Sequence, residues 1–102
     1  MTPRLEYLDE ALDEAEQAAR WYADRSPTAA AGFADELDVA AAAIGQAPET
    51  WPPYDHGTRR FLLRRFPYFL VYRVEPERVV IVAVAHAHRR PGYWKDRVMT
   101  PG

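Results

Sequence analysis

Seven consecutive apolar residues, Val79 to Ala85, most constrain what this 102-residue chain can fold into. A run of Val, Ile and Ala with no polar residue in it does not alternate between a wet face and a dry one. As a strand it must be covered on both faces and lie inside its sheet. Upstream, Tyr68 to Glu75 reads as a second strand, and Glu75-Pro76-Glu77 joins it to the first as a tight hairpin. Thr58 to Arg65 reads as a third, connected through Phe66-Pro67. Three strands with short turns, the last running from Arg78 to His86, predict an antiparallel meander.

The N-terminal half has a different period. Arg4 to Leu8 alternates and reads as a short first strand. Leu8, Leu12, Ala15, Ala19 and Tyr22 then step by four and three, which predicts one buried face of a helix from Asp9, as N-cap, to about Arg25. Ser26-Pro27 ends that helix and starts another, because proline disfavours helical geometry before it and suits the first helical position. The second helix is expected from Pro27 to Ile44, with Phe33, Leu37, Ala40 and Ile44 inward and Gly45 and Pro48 as its stop. A turn this short makes the helices an antiparallel hairpin. The fold class expected is α+β: an N-terminal strand and a helical hairpin packed on an antiparallel β-meander, in one domain over residues 1–102.

Composition narrows the function classes. Without cysteine, disulfides and thiolate metal sites are excluded. No apolar run reaches the length of a membrane span and the N-terminus lacks a signal-peptide pattern, so a cytoplasmic protein with no membrane partner is expected. The net charge of −2 hides a division. Residues 1–57 carry twelve acids and three bases, a balance of −9; residues 58–102 carry ten bases and three acids, a balance of +7. Such asymmetry fits two faces with different partners, or one half lying against the other.

The central strand empties into His86-Ala87-His88-Arg89-Arg90-Pro91-Gly92-Tyr93-Trp94. Basic groups interleaved with aromatics suit contact with a macromolecule, and His86, His88, Arg89, Arg90, Tyr93 and Trp94 are the expected target-binding set. His88, Arg89, Arg90 and Tyr93 could also cleave RNA, one group taking the 2′-hydroxyl proton, an arginine stabilising the phosphorane and another group protonating the leaving oxygen. Alternatively Tyr93 and Trp94 cap the core and the arginine pair is a solvated turn. His56, His86 and His88 have no carboxylate at supportive spacing, so no metal and no cofactor are expected. Ser26 is the only serine and is spent as a cap, which removes serine-hydrolase chemistry. Arg59, Arg60, Arg64 and Arg65 bracket Phe61-Leu62-Leu63 and would either protect a sheet edge or dock an acidic partner.

In order and spacing the chain resembles the RelE/ParE superfamily of toxins from bacterial type II toxin–antitoxin systems. The resemblance is carried by Ala18 to Tyr22, Phe33 with Leu37, Arg64 to Tyr68, Val71 to Arg73, Val82 to His86 and above all His88 to Trp94. It runs from about Leu5 to Arg97. It implies a growth-inhibiting toxin neutralised by a cognate antitoxin, with operator DNA bound only through that antitoxin. The antitoxin would be met by Trp21, Tyr22, Arg59, Arg60, Arg64, Arg65 and Arg73.

The superfamily divides by target. One lysine and a pI near 5.9 do not make the broad positive field that suits docking into ribosomal RNA. The expectation is therefore a ParE-like, non-enzymatic toxin acting on DNA gyrase. A RelE-like ribosome-dependent mRNA endoribonuclease and a non-toxic, interaction-only member are the alternatives.

Overall fold

The computed structural model describes residues 3–99. Its elements follow in the order β1 (Arg4–Tyr7), α1 (Asp9–Ala23), α2 (Pro27–Gln46), a short 3₁₀ turn (Asp55–Gly57), β2 (Arg59–Leu62), β3 (Tyr68–Val74), β4 (Arg78–His86) and α3 (Lys95–Met99). The sheet order is β1-β4-β3-β2. The meander is antiparallel as expected, and β1 closes it as a parallel neighbour of β4, from Arg4 opposite Arg78 to Tyr7 opposite Ile81. Strand β4 is thus interior, and Val79 to Ala85 are all buried.

Both faces of the sheet are covered. On one, Leu70, Tyr72, Val79, Ile81 and Val84 meet Ala11, Ala15 and Ala18 of α1 and Phe33, Ala40 and Ile44 of α2. On the other, Val71, Val82 and Ala83 meet Trp94, with Tyr54, Phe69, Tyr93 and Val98 around it. A β-bulge makes this sorting possible. Tyr72 pairs with Ile81 and Val71 with Ala83, leaving Val82 as an extra residue. Val82 and Ala83 therefore share the second face, and Val84 returns to the helices.

Several boundaries differ from expectation. Strand β2 stops at Leu62 instead of running to Arg65. The reason lies on α2, where the Glu36 carboxylate accepts from the Arg64 and Arg65 backbone N–H groups and from Arg65 Nε, holding the loop out of the ladder. Helix α1 has Leu8 as N-cap with no side-chain cap bond, and Asp9 is already helical. Its fully buried residues are Ala11, Ala15 and Ala18; of the expected stripe Leu8, Ala15, Ala19 and Tyr22 pack on the core, while Leu12 is 46% exposed. Alanines here let the helix lie close to the sheet. Helix α2 begins as predicted, with Ser26 Oγ accepting from Ala29 N–H at 3.2 Å, but it passes through a buried Gly45 to Gln46. None of the described helices is long and apolar enough to cross a membrane.

Candidate functional site

Strand β1 pairs β4 only as far as Ile81, and the Leu8 N–H closes that pairing on the Ile81 carbonyl. Beyond it the β1 side of β4 is open, and one acidic residue of α1 fills the gap. Glu14 Oε1 accepts from the Val84 N–H at 3.0 Å and from Arg97 Nη1 at 2.9 Å. Glu14 Oε2 accepts from the Tyr93 hydroxyl at 2.6 Å and from Arg97 Nη2 at 3.1 Å. Arg97 Nη1 also reaches the Val82 carbonyl at 3.1 Å. Helix α1, the end of β4 and α3 are clasped by this one carboxylate. Burial first, then the hydrogen bond and charge of Glu14, push the Tyr93 phenol well above the ordinary tyrosine range. Burial opposes the charge on Arg97, but the bond and charge of Glu14 outweigh it and raise the Arg97 pKa.

The clasp shapes the tail. The Arg89 N–H returns to the His86 carbonyl, and Gly92 adopts a left-handed φ of 75° that turns the chain into Tyr93. Trp94 is then driven under the sheet, where it is 1% exposed. Its place in the expected target-binding set is corrected: a fully buried ring caps the second core and offers no surface to a partner. His86 packs edge-on to Tyr68, and its Nδ1 accepts from the His88 N–H at 3.0 Å. Among the described residues no cluster of His, Asp or Glu could hold a metal ion.

The arginines divide into two groups. Arg4, Glu6, Arg78, Glu75 and Arg73 form a continuous ladder of ion pairs over the β1, β4 and β3 strands. Both arginine hydrogen bonds to Glu75 hold its carboxyl below the usual range. Arg65 is paired with Glu36 and Arg97 with Glu14. Arg59 donates to the Trp51 carbonyl. Arg60, Arg64, Arg89 and Arg90 have no carboxylate partner among the described residues. Arg60 lies over the Tyr54 ring at 4.5 Å and Arg89 over the Tyr93 ring at 3.8 Å.

Two cavities meet at the tail. A groove of about 430 Å³ lies between α1 and the ends of β3 and β4, with Trp21, Tyr22, Tyr68, His86 and Arg89 in its walls. A smaller cleft of about 230 Å³ lies on the opposite face of the sheet and includes Arg60, Arg89 and Arg90. The fold thus gathers Trp21 and Tyr22, expected to meet one partner, with His86 and Arg89, expected to meet another. Arg60 joins the tail, whereas Arg64 and Arg65 border a separate cavity beside Glu36, and Arg73 belongs to the ion-pair ladder. Arg59 points to the helix side of the sheet. Sequence reasoning missed Glu14, one of several acids along α1, and Tyr54, which lies between α2 and β2. Their partners stand 79 and 6 positions away in the chain, without a local signature.

Comparisons with known proteins agree with this architecture. A family model described as the ParE toxin of the type II toxin–antitoxin system parDE matches residues 5–91. Toxin ParE2 of Mycobacterium tuberculosis (strain H37Rv) is 32% identical over 92 residues, covering 89% of this chain and 88% of the relative. Among solved structures, the chromosomal ParDE system from P. aeruginosa superposes with a TM-score of 0.75 at 16% identity, over 85% of this chain and 98% of that one. The toxin–antitoxin complex RelBE2 from Mycobacterium tuberculosis gives a TM-score of 0.55 at 22% identity, over 84% of this chain and 92% of that one. The two solved structures share the fold; the match along nearly the whole sequence shows the family, and the chain belongs to the ParE toxins of type II toxin–antitoxin systems, within the RelE/ParE superfamily.

Proposed function

We propose that this protein inhibits growth by binding DNA gyrase through its tail, without catalysing a reaction, and that a cognate antitoxin neutralises it in the cytoplasm. The observation that carries the reading is the occupied hydroxyl of Tyr93. A nuclease using this tail would need that hydroxyl, or the phenolate, free at the reacting phosphate. Here Glu14 accepts the hydroxyl's hydrogen bond, burial and then Glu14 raise its pKa, and Arg89 covers its ring. What remains open is a set of guanidinium groups on a rigid edge, which suits recognition of a protein surface. The modest pI of 5.9 points the same way.

An antitoxin partner is supported by the family and by the two structural neighbours, both toxin–antitoxin systems. Its natural seat is the groove beside Trp21 and Tyr22, where it would also cover His86 and Arg89. A segment crossing Arg59, Arg60, Arg64, Arg65 and Arg73 should be acidic, with an apolar part over the helical hairpin. Operator DNA would be reached only through the antitoxin.

The test is expression without the antitoxin, scoring gyrase supercoiling and mRNA integrity in the same cells. Loss of supercoiling with intact mRNA is the expected result. Cleaved mRNA with unimpaired gyrase, abolished by Tyr93→Phe and by Arg90→Ala, would replace this reading with the endoribonuclease. Neither effect would leave the interaction-only protein.

A further inference from the structure

The cleft on the far side of the tail combines unpaired positive charge with apolar surface. Its charged walls are Arg60 from β2 and Arg89 and Arg90 from the tail, and no carboxylate lines it. By contrast, Arg4, Arg73 and Arg78 of the sheet are neutralised by Glu6 and Glu75, and Arg65 beside it by Glu36. Positive charge has been left unpaired at this place, within a molecule whose net charge is −2.

The two facing arginines are presented alike. Arg60 Cζ sits over the Tyr54 ring at 4.5 Å, and Arg89 Cζ over the Tyr93 ring at 3.8 Å. Stacking uses the face of a guanidinium and leaves its in-plane N–H groups directed outward, the edge that grips a carboxylate with two parallel bonds. Both supporting rings are themselves fixed. Tyr93 is held by Glu14, and Tyr54 packs against Phe69 and the buried Trp94. Between the arginines the floor is apolar, and Leu62 stands 56% exposed on the β2 rim.

We infer that this cleft is a receptor for a protein segment that presents an acidic side chain next to an aromatic or aliphatic one. Resting on the reading of the tail as the target-binding edge, the inference makes that segment part of the toxin's target. The carboxylate bridges the Arg60 and Arg89 walls, and the apolar neighbour covers Leu62 and Phe69. A nucleic-acid strand fits less well. It would need cations continuing beyond the cleft to follow its phosphates, yet Arg73 and Arg78 are consumed by Glu75, and Arg59 faces the other side of the sheet. The cleft is an isolated positive spot of side-chain size, not a track.

The experiment uses the whole chain and three probes: a short peptide alternating Asp and Phe, an oligoribonucleotide of similar length, and purified gyrase. The expected result is saturable peptide binding that weakens with added salt, with little binding of the oligoribonucleotide. Arg60→Ala and Arg89→Ala are each expected to weaken the peptide about tenfold or more. Arg60→Lys, which keeps the charge but loses the flat fork, should restore only part of it, and Arg25→Ala, stacked on Trp21 away from the cleft, none should be lost. Thermal melts confirm that the variants fold. If the chain inhibits gyrase, the cleft variants should relieve inhibition in the same order. If it does not, the gyrase reading fails and the peptide arm alone judges the cleft. Tighter binding of the oligoribonucleotide, or peptide affinity unchanged in folded Arg60→Ala and Arg89→Ala, would overturn the proposal. So would undiminished gyrase inhibition by the folded Arg60→Ala and Arg89→Ala variants of an inhibiting parent.

Discussion

The Tyr93 hydroxyl and Glu14 Oε2 are joined by a 2.6 Å hydrogen bond across 79 positions of sequence. The same carboxylate holds Arg97 and the Val84 N–H, so removing either partner has unequal consequences. Tyr93→Phe deletes one charge-assisted bond and is expected to cost about 1–2 kcal/mol. Glu14→Ala strands the Arg97 charge, the Tyr93 hydroxyl and a strand N–H together. It should cost about 3 kcal/mol, below the cost in a fully buried pair because both side chains touch some water. Urea denaturation measures both, and equal midpoints for Glu14→Ala and the parent would contradict the clasp.

Alkaline behaviour follows from the same bond. Burial, with Glu14 adding to it, raises the Tyr93 pKa in the folded state, and burial pushes Tyr72 up to about 12 despite the nearby Arg59. A group whose folded pKa lies above its unfolded value contributes stability that is fully present below the unfolded pKa. That contribution disappears as pH rises from about 10 towards the folded value. Tyrosinate absorbance from these two residues should therefore appear together with unfolding. Early, reversible ionisation of Tyr93 in the folded protein would disagree.

The acid side has the opposite sign. Hydrogen bonds from Arg78 and Arg73 depress the Glu75 pKa; for Glu36, burial acts upward but the bonds from Arg65 and Arg64 prevail and depress it. Their contribution is present above the ordinary glutamate value, about 4.3, and is lost as pH falls through the depressed folded values. Stability measured by denaturant titration should decline below that pH, and Glu75→Gln should make the decline shallower. A parent and variant with parallel acid profiles would remove the ladder from the explanation.

The inward face of α1 can be tested by opposite substitutions. Leu12 is half exposed, so Leu12→Gln should shift stability by no more than about 0.5 kcal/mol. Ala18 lies against the sheet at 4% exposure, and Ala18→Leu should destabilise by about 1–3 kcal/mol through overpacking. The reverse order in thermal unfolding would restore the stripe read from spacing.

Local periodicity carried most of the fold. The unbroken Val79–Ala85 run required an interior strand, Ser26-Pro27 required a break between helices, and the tight turns required an antiparallel meander, because each rests on neighbours in sequence. The tail was legible as a place, since a buried strand must deliver whatever follows it to a sheet edge. Its inventory was not. Arginine at Arg60, Arg65, Arg73 or Arg90 looks the same in sequence. Only the folded chain decides that Glu36 and Glu75 neutralise two of them while Arg60 and Arg90 stay unpaired. Trp94 read either as a target contact or as a cap on the core, and the fold decides for the core, with the Glu14 clasp holding the chain that carries it beneath the sheet. Sequence alone determined the family, the order of β1, α1, α2 and the three meander strands, and the strand that must be buried, which depend on short-range pattern. Tertiary structure alone decided which charges remain available, because an ion pair across 29, 72 or 83 positions depends on where helix and sheet bring two side chains to within hydrogen-bond distance.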